Sequence, residues 1–292
     1  MAKKDLTNLR DAILDSSLIS ATFSKELYDT QIIFCNNYIQ VYKTNNKKIR
    51  NKNINKKNSI LKIDTDDLII VNDTLKNNDL KVIAPKNINR SKLKCQRLAK
   101  CNSNDWQTFI TLTFKENITD IDFANKQLHK FFSSVRRFFK DFKYLCVPEF
   151  MKNGRVHYHL LTNIPANSDI IPKRKPLKLW NKDLKKYKRI DYYDIKYWNY
   201  GFSSAEIVEG DIKKIVGYIS KYMTKDIDNR LFFKNRYLYS QNLFKPQTSY
   251  LNLSNPIHKK FYENLINKKE CIYSNIYQNR YNNDLITFKE FL

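Results

Sequence analysis

Two apolar runs, Tyr144 to Phe150 and Arg155 to Leu161, stand on either side of Lys152-Asn153-Gly154. Asn-Gly is hairpin-turn chemistry, because both residues tolerate the left-handed backbone that a tight turn needs. The two runs therefore read as neighbouring antiparallel strands. A third run, Phe109-Ile110-Thr111-Leu112-Thr113-Phe114, is β-branched and aromatic throughout and reads as a central strand. Between them, Leu128, Phe131, Phe132, Val135, Phe138, Phe139 and Phe142 recur at helical spacing and form one apolar stripe. Lys126, Lys130, Arg136, Arg137 and Lys140 occupy the other face, which is either solvated or a phosphate contact. The expected class is α+β, an antiparallel sheet with helices packed on it.

The strand after the turn holds two of the four histidines, His157 and His159. Side chains alternate along a strand, so both imidazoles point to one face. An H-x-H pair is also met as a structural feature. Here it supplies half of a divalent-metal site. A hard metal wants an oxygen ligand too, and Glu149 is the candidate, on the strand across the turn. A salt-bridged surface glutamate is the other reading of that residue.

A second stretch bears on these histidines. Asp211 to Asp226 reads as a helix whose side bearing Ile212, Ile215, Val216, Ile219 and Met223 must face the sheet. At about 100° per residue, Tyr218 and Tyr222 fall at the border of that side, and Lys214, Lys221 and Lys225 lie just beyond. Two phenols flanked by ammonium groups can be ordinary boundary residues. Next to a metal-bound phosphate they have a use: tyrosine can attack a phosphodiester and stay covalently attached. Mg²⁺ or Mn²⁺ would polarise the phosphate, and Lys221 and Lys225 would position it and favour the phenolate.

The charge balance fits such a substrate. There are 53 Lys+Arg against 29 Asp+Glu, a formal net charge of +24. That excess predicts a polyanionic partner, nucleic acid before anionic membrane. Aromatic residues make up 14% and are interleaved with the basic ones, which suits unpaired bases. The four glycines are Gly154, Gly201, Gly210 and Gly217. Their spacing excludes a P-loop ATPase or helicase and a G-x-G-x-x-G dinucleotide fold, so no nucleotide cofactor is expected. The five cysteines form no C-x-x-C pair, which suits free thiols in a reducing cytoplasm. No apolar run is long enough to span a bilayer and no signal-like segment follows Met1, so no membrane role is expected.

The flanks say less. Residues 1 to about 30 read as a helical or loose lead-in, Gln31 to Lys43 as strand with a turn at Asn36-Asn37, and Thr44 to Asn58 as a flexible basic loop. Leu68 to Val71 reads as a short strand and Ser91 to Cys101 as a basic helix capped by Ser91. Further on, Pro165 to Pro176 reads as a loop, Trp180 to Lys188 as a short basic helix, and Tyr192 to Trp198 as extended. Tyr200 to Val208 and Tyr237 to Ser240 read as strands, and the tail from Ser254 as helical. The expected domains are a basic extension at 1–104, a catalytic domain at 105–243 and a helical tail at 244–292.

Taken in order, three motifs resemble the HUH superfamily of rolling-circle replication initiators, particularly those of single-stranded DNA bacteriophages. Phe109 to Phe114 resembles the first-strand motif, and His157-Tyr158-His159 the H-u-H metal motif, with Tyr158 a mild departure at its middle position. Tyr218-Ile219-Ser220-Lys221-Tyr222-Met223-Thr224-Lys225 is similar to the two-tyrosine Y-x-x-K-Y-x-x-K motif, and Trp198-Asn199-Tyr200-Gly201-Phe202 also looks like the family. The resemblance covers roughly Asp105 to Leu243. It implies an HUH endonuclease domain with a ferredoxin/RRM-like core and a divalent metal. One strand would be nicked at an origin, a tyrosine would be linked to the 5′-phosphate, and the free 3′-OH would prime rolling-circle synthesis. The second tyrosine would serve termination. Origin DNA, single-stranded or supercoiled duplex, is the implied partner, with a host helicase and polymerase in a bacterial cytoplasm. The alternatives are a plasmid initiator, a relaxase, a single-strand transposase, or a non-catalytic basic nucleic-acid-binding protein.

Overall fold

The computed structural model describes residues 25–36, 38–51, 85–181, 185–208, 216, 217, 219, 221, 222, 235–279 and 282–292. The chain divides into two compact units, one of residues 34–38 and 79–247, the other of 1–33, 39–78 and 248–292.

The first unit is built on a seven-stranded sheet. In chain order its strands are β3 (Thr108–Phe114), β4 (Tyr144–Phe150), β5 (Val156–Thr162), β6 (Lys173–Asn181), β7 (Lys186–Tyr193), β8 (Gly201–Ile207) and β9 (Leu238–Tyr239). Their spatial order is β6-β7-β8-β3-β5-β4-β9, and each neighbouring pair is antiparallel. The turn expected at Asn153-Gly154 closes β4 on β5, with Gly154 at φ 83°. Gly201 has a different reason to be glycine. A Cβ there would run into the Thr113 carbonyl oxygen, well inside contact distance, where β8 crowds the end of β3.

Residue parity along these strands makes two cores. Ile110, Leu112, Phe114, Cys146, Tyr158 and Leu160 face helix α2 (Ile121–Phe138), which buries Leu128, Phe131, Phe132 and Val135 against them. Asp120 caps this helix, its carboxylate accepting from the Asp122 N–H. The apolar stripe continues past the helix end. Phe138 is 65% exposed and stacks on Tyr197, Phe139 is the C-cap, and Phe142 reaches the core from the loop beyond. Phe109, Leu145, Val147 and Leu161 face the other way, towards Cys95, Leu98 and Ala99 of helix α1 (Pro85–Cys101) and towards Val216 and Ile219. Helix α1 begins at Pro85, so Ser91 is interior and not its cap. Trp180 to Lys188, expected to be helical, instead spans the end of β6 and the start of β7. The loop expected up to Pro176 gives way to strand at Lys173.

The second unit holds a five-stranded sheet in the order β10-β1-β2-β12-β11. It comprises β1 (Lys25–Cys35), β2 (Tyr38–Asn51), β10 (Gln247–Leu251), β11 (Cys271–Gln278) and β12 (Leu285–Phe291), with helix α3 (Pro256–Ile266) between β10 and β11. The turn at Asn36 is present, at φ 55°. Two expectations fail here. Thr44 to Asn51 is strand and not loop, because β2 pairs with β12, Thr44 opposite Ile286. The tail is helical only at α3 and otherwise β, and it shares a sheet with the N-terminal segment. The strand expected at Leu68 to Val71 lies outside the described residues, as does most of the helix expected at Asp211 to Asp226.

Candidate active site

β5 is the spine of the site. Glu149 of β4 lies opposite His157, and Thr113 and Thr111 of β3 lie opposite His157 and His159. Since pairing partners share a face, all five side chains stand on the Phe109 side of the sheet. His159 Nε2 is 2.7 Å from Glu149 Oε2, so the proton sits on Nε2 and the carboxylate accepts it. The other ring nitrogens approach hydroxyls, His159 Nδ1 at 3.2 Å from Thr111 Oγ1 and His157 Nδ1 at 3.4 Å from Thr113 Oγ1. The two threonines therefore orient the rings and leave both Nε2 atoms aimed away from β3. The sequence alone gives these threonines no role, although Thr-x-Thr has the same period as His-x-His.

His157 Nε2 is buried and has no hydrogen-bond partner. A buried polar nitrogen without a partner is costly and calls for an explanation. Burial, with help from the Arg155 and His159 charges and against the pull of Glu149, holds the His157 pKa below the usual imidazole value. The ring is then neutral near pH 7 and its nitrogen lone pair available. Among the described residues, no three His, Cys, Asp or Glu side chains are spaced as a ready metal cage. The donors a cation would meet here are Glu149, His157 and His159. One carboxylate and two imidazoles suit a divalent ion.

The helical segment supplies the fourth group. Val216 and Ile219 are buried in the second core, and Tyr222, three residues on, continues the same side as a half-buried ring. Its ring lies flat on His159, with centroids 3.5 Å apart and planes 14° apart. Phe109 stacks at 5.8 Å from His159 and 5.9 Å from Tyr222. Lys221 is exposed, with Nζ 5.8 Å from the centre of the Tyr222 ring. Tyr218 and Lys225 lie outside the described residues. Tyr158, between the histidines, points into the other core and donates from its hydroxyl to Asn125 Oδ1 at 2.8 Å. Burial raises its phenol pKa, so it stays protonated and is no candidate nucleophile. Trp198 is also a packing residue, wedged among Phe114, Phe131 and Tyr200 with Nε1 donating to the Thr113 carbonyl.

Known proteins match this unit. A family model for replication-associated proteins of the ORF2 type matches residues 107–227, the stretch from β3 through the tyrosine helix. The Phasyl DNA replicon protein arp of Escherichia coli is 29% identical over 130 residues, 42% of this chain and 44% of that protein. The chain thus spans less than half the length of this curated relative. No solved structure matches. Over the segment that carries the site, the chain is similar to replication-associated proteins. No helix among the described residues is long and apolar enough to cross a membrane.

Proposed function

We propose that this chain is a rolling-circle replication initiator of the two-tyrosine HUH type, a site-specific DNA nicking and closing enzyme. The observation that carries the reading is the gathering of Glu149, His157, His159 and the Tyr222 ring on one face of the sheet. The similarity to replication-associated proteins makes replication the process, with single-stranded or supercoiled origin DNA as the substrate.

Glu149, His157 and His159 would hold Mg²⁺ or Mn²⁺, which when bound would polarise the scissile phosphate and offset its developing charge. Tyr222 is the nucleophile. Its phenol oxygen bonds to phosphorus while the P–O3′ bond breaks. The phenol gives up one proton and the leaving 3′-oxygen takes one up, so no oxidant, reductant or nucleotide is consumed. Lys221 favours the phenolate by charge and holds neighbouring phosphates. Tyr218 takes the second cut while Tyr222 is occupied, with Lys225 in the same supporting role. A bacterial cytoplasm, with a host helicase and polymerase, is the setting, because nothing in the glycine pattern provides an ATP-driven motor.

The test is a denaturation-resistant adduct between the purified chain and a labelled single-stranded origin oligonucleotide in Mn²⁺, mapped by peptide mass. The expected adduct is on Tyr222 or Tyr218, and it should vanish in His157→Ala and His159→Ala variants that still bind DNA. Adduct formation at the wild-type rate in the double histidine variant overturns the metal site.

A further inference from the structure

β6 and β7 form a hairpin that joins the rest of the sheet through one rung, Tyr193 opposite Ala205. From Tyr193 out to Lys186 the arm runs about 23 Å at the usual strand rise. A two-stranded ribbon is marginal in water without something to cover it. This one carries Trp180 and Tyr187 directly opposite each other, rings edge to face at 5.1 Å, and 52% and 68% exposed. Elsewhere in this chain Trp106 and Trp198 are buried and hydrogen-bonded, so exposure at Trp180 is the exception. Charge surrounds the pair. Residues 173–193 hold nine Lys or Arg and two Asp. Asp191 is already paired with Lys173 at 2.8 Å, whereas Lys175, Lys185, Lys186 and Arg189 are exposed. By strand alternation Arg189 shares a face with Tyr187.

We infer that this hairpin is a second nucleic-acid-binding site, an arm that holds single-stranded DNA by stacking unpaired bases on Trp180 and Tyr187. Lys175, Lys185, Lys186 and Arg189 take the phosphates. The inference rests on the proposed role in replication for its ligand but not for its geometry. Tyr187, Arg189 and Tyr193 have the same parity, and Tyr193 packs into the core on the α2 side, away from the histidines. The arm therefore holds strand without touching the reacting phosphate. Duplex fits it poorly, because paired bases offer no free faces for two upright rings. Stacking of this kind is worth roughly a five- to hundred-fold change in affinity per base.

The test uses tryptophan emission and the anisotropy of a labelled oligo-dT, with the full chain in its wild-type and Trp180→Phe forms. Binding should quench the wild-type emission, and the quench should be absent in Trp180→Phe. Trp180→Ala/Tyr187→Ala should bind oligo-dT about ten-fold or more weakly, with little change for blunt duplex. Lys186→Glu/Arg189→Glu should weaken both. Far-ultraviolet circular dichroism and the emission of Trp106 and Trp198 verify that the variants fold. Unchanged emission at saturating oligo-dT, or wild-type affinity in the double aromatic variant, overturns the arm. Its fate is separable from that of the nicking reaction. A chain that quenches and binds but forms no tyrosine adduct keeps the arm and loses the proposed chemistry. An adduct on a short oligonucleotide with no quench does the reverse.

Discussion

Alternation along β5 makes a sharp prediction about three consecutive residues. Tyr158 is fully buried on the α2 side, and its hydroxyl donates to Asn125. His157 and His159 stand on the opposite face among Glu149, Thr111 and Thr113. Removing only the Tyr158 hydroxyl forfeits one neutral hydrogen bond, about 0.5–1.5 kcal/mol net, with the lower half favoured because Asn125 is half-exposed. Tyr158→Ala leaves a cavity beneath α2 and should cost about 3–5 kcal/mol. With a urea slope of about 2 kcal/mol per molar, the midpoint of the catalytic unit falls by about 0.5 M for Phe and about 2 M for Ala. His157→Ala and His159→Ala should shift the midpoint far less than Tyr158→Ala, because His157 leaves no hydrogen bond from Nε2 behind. The activity order is inverted: Tyr158→Phe forms adduct at the wild-type rate, and the histidine variants form none. Urea melts followed by tryptophan emission, together with the adduct assay, give both readings. A Tyr158→Phe variant of normal stability that has lost adduct formation would refute the division of the strand into a packing face and a chemical face.

Gly201→Ala should cost about 1–3 kcal/mol. The new methyl meets backbone atoms of Thr113, Phe114 and Lys115 inside contact distance, so β8 must part from β3; thermal melting measures it, and a melt equal to wild type would show the crowding to be relieved elsewhere. Tyr222→Phe keeps the stacked ring and should melt like wild type. If the two tyrosines alternate, at least one of Tyr222→Phe and Tyr218→Phe still forms adduct and the double variant forms none, as gel-shifted adduct bands will report. DNA affinity should fall steeply between about 50 and 200 mM salt, as counterion release requires of a chain this basic, and an affinity flat in salt would contradict a phosphate-dominated interface.

Local chemistry makes some parts of this protein legible and leaves others dark. Asn153-Gly154 and the period-two runs around it are enough to pair β4 with β5 and to put both histidines on one face. Phe109 to Phe114 is legible for the same reason, a β-branched run with no competing signal. The lysine-rich residues from Trp180 to Lys188 imitate a helix because lysine and leucine are good local helix formers. What holds them as strand is pairing, Trp180 opposite Tyr187 and Leu179 opposite Lys188, and composition does not encode a partner. Thr44 to Asn51 is darker still, since its partner strand β12 lies at the far end of the chain. The histidine pair is visible from spacing. The Thr111 and Thr113 contacts, and the stacking of Tyr222 on His159, need the sheet register and the helix placement first.

That placement explains why the proposed nucleophile and the ammonium beside it are neighbours in sequence with different surroundings. Val216, Ile219 and Tyr222 follow one another at three-residue intervals down a single side of the helical segment. The first two are buried against Phe109, Leu145 and Leu161, so the same packing that holds the segment on the sheet also fixes the tyrosine ring over His159. Lys221, rotated by about 100°, is set in solvent where a phosphate backbone can reach it. The stack also closes one approach. Tyr222 and Phe109 cover His159, whereas His157 stands at the end of the sheet where β3 stops and β5 begins. At that same end the exposed Phe202 lies opposite Thr113 and stacks on Tyr192. A phosphate reaching the partnerless Nε2 of His157 therefore enters from the His157 end, past aromatic faces suited to unpaired bases.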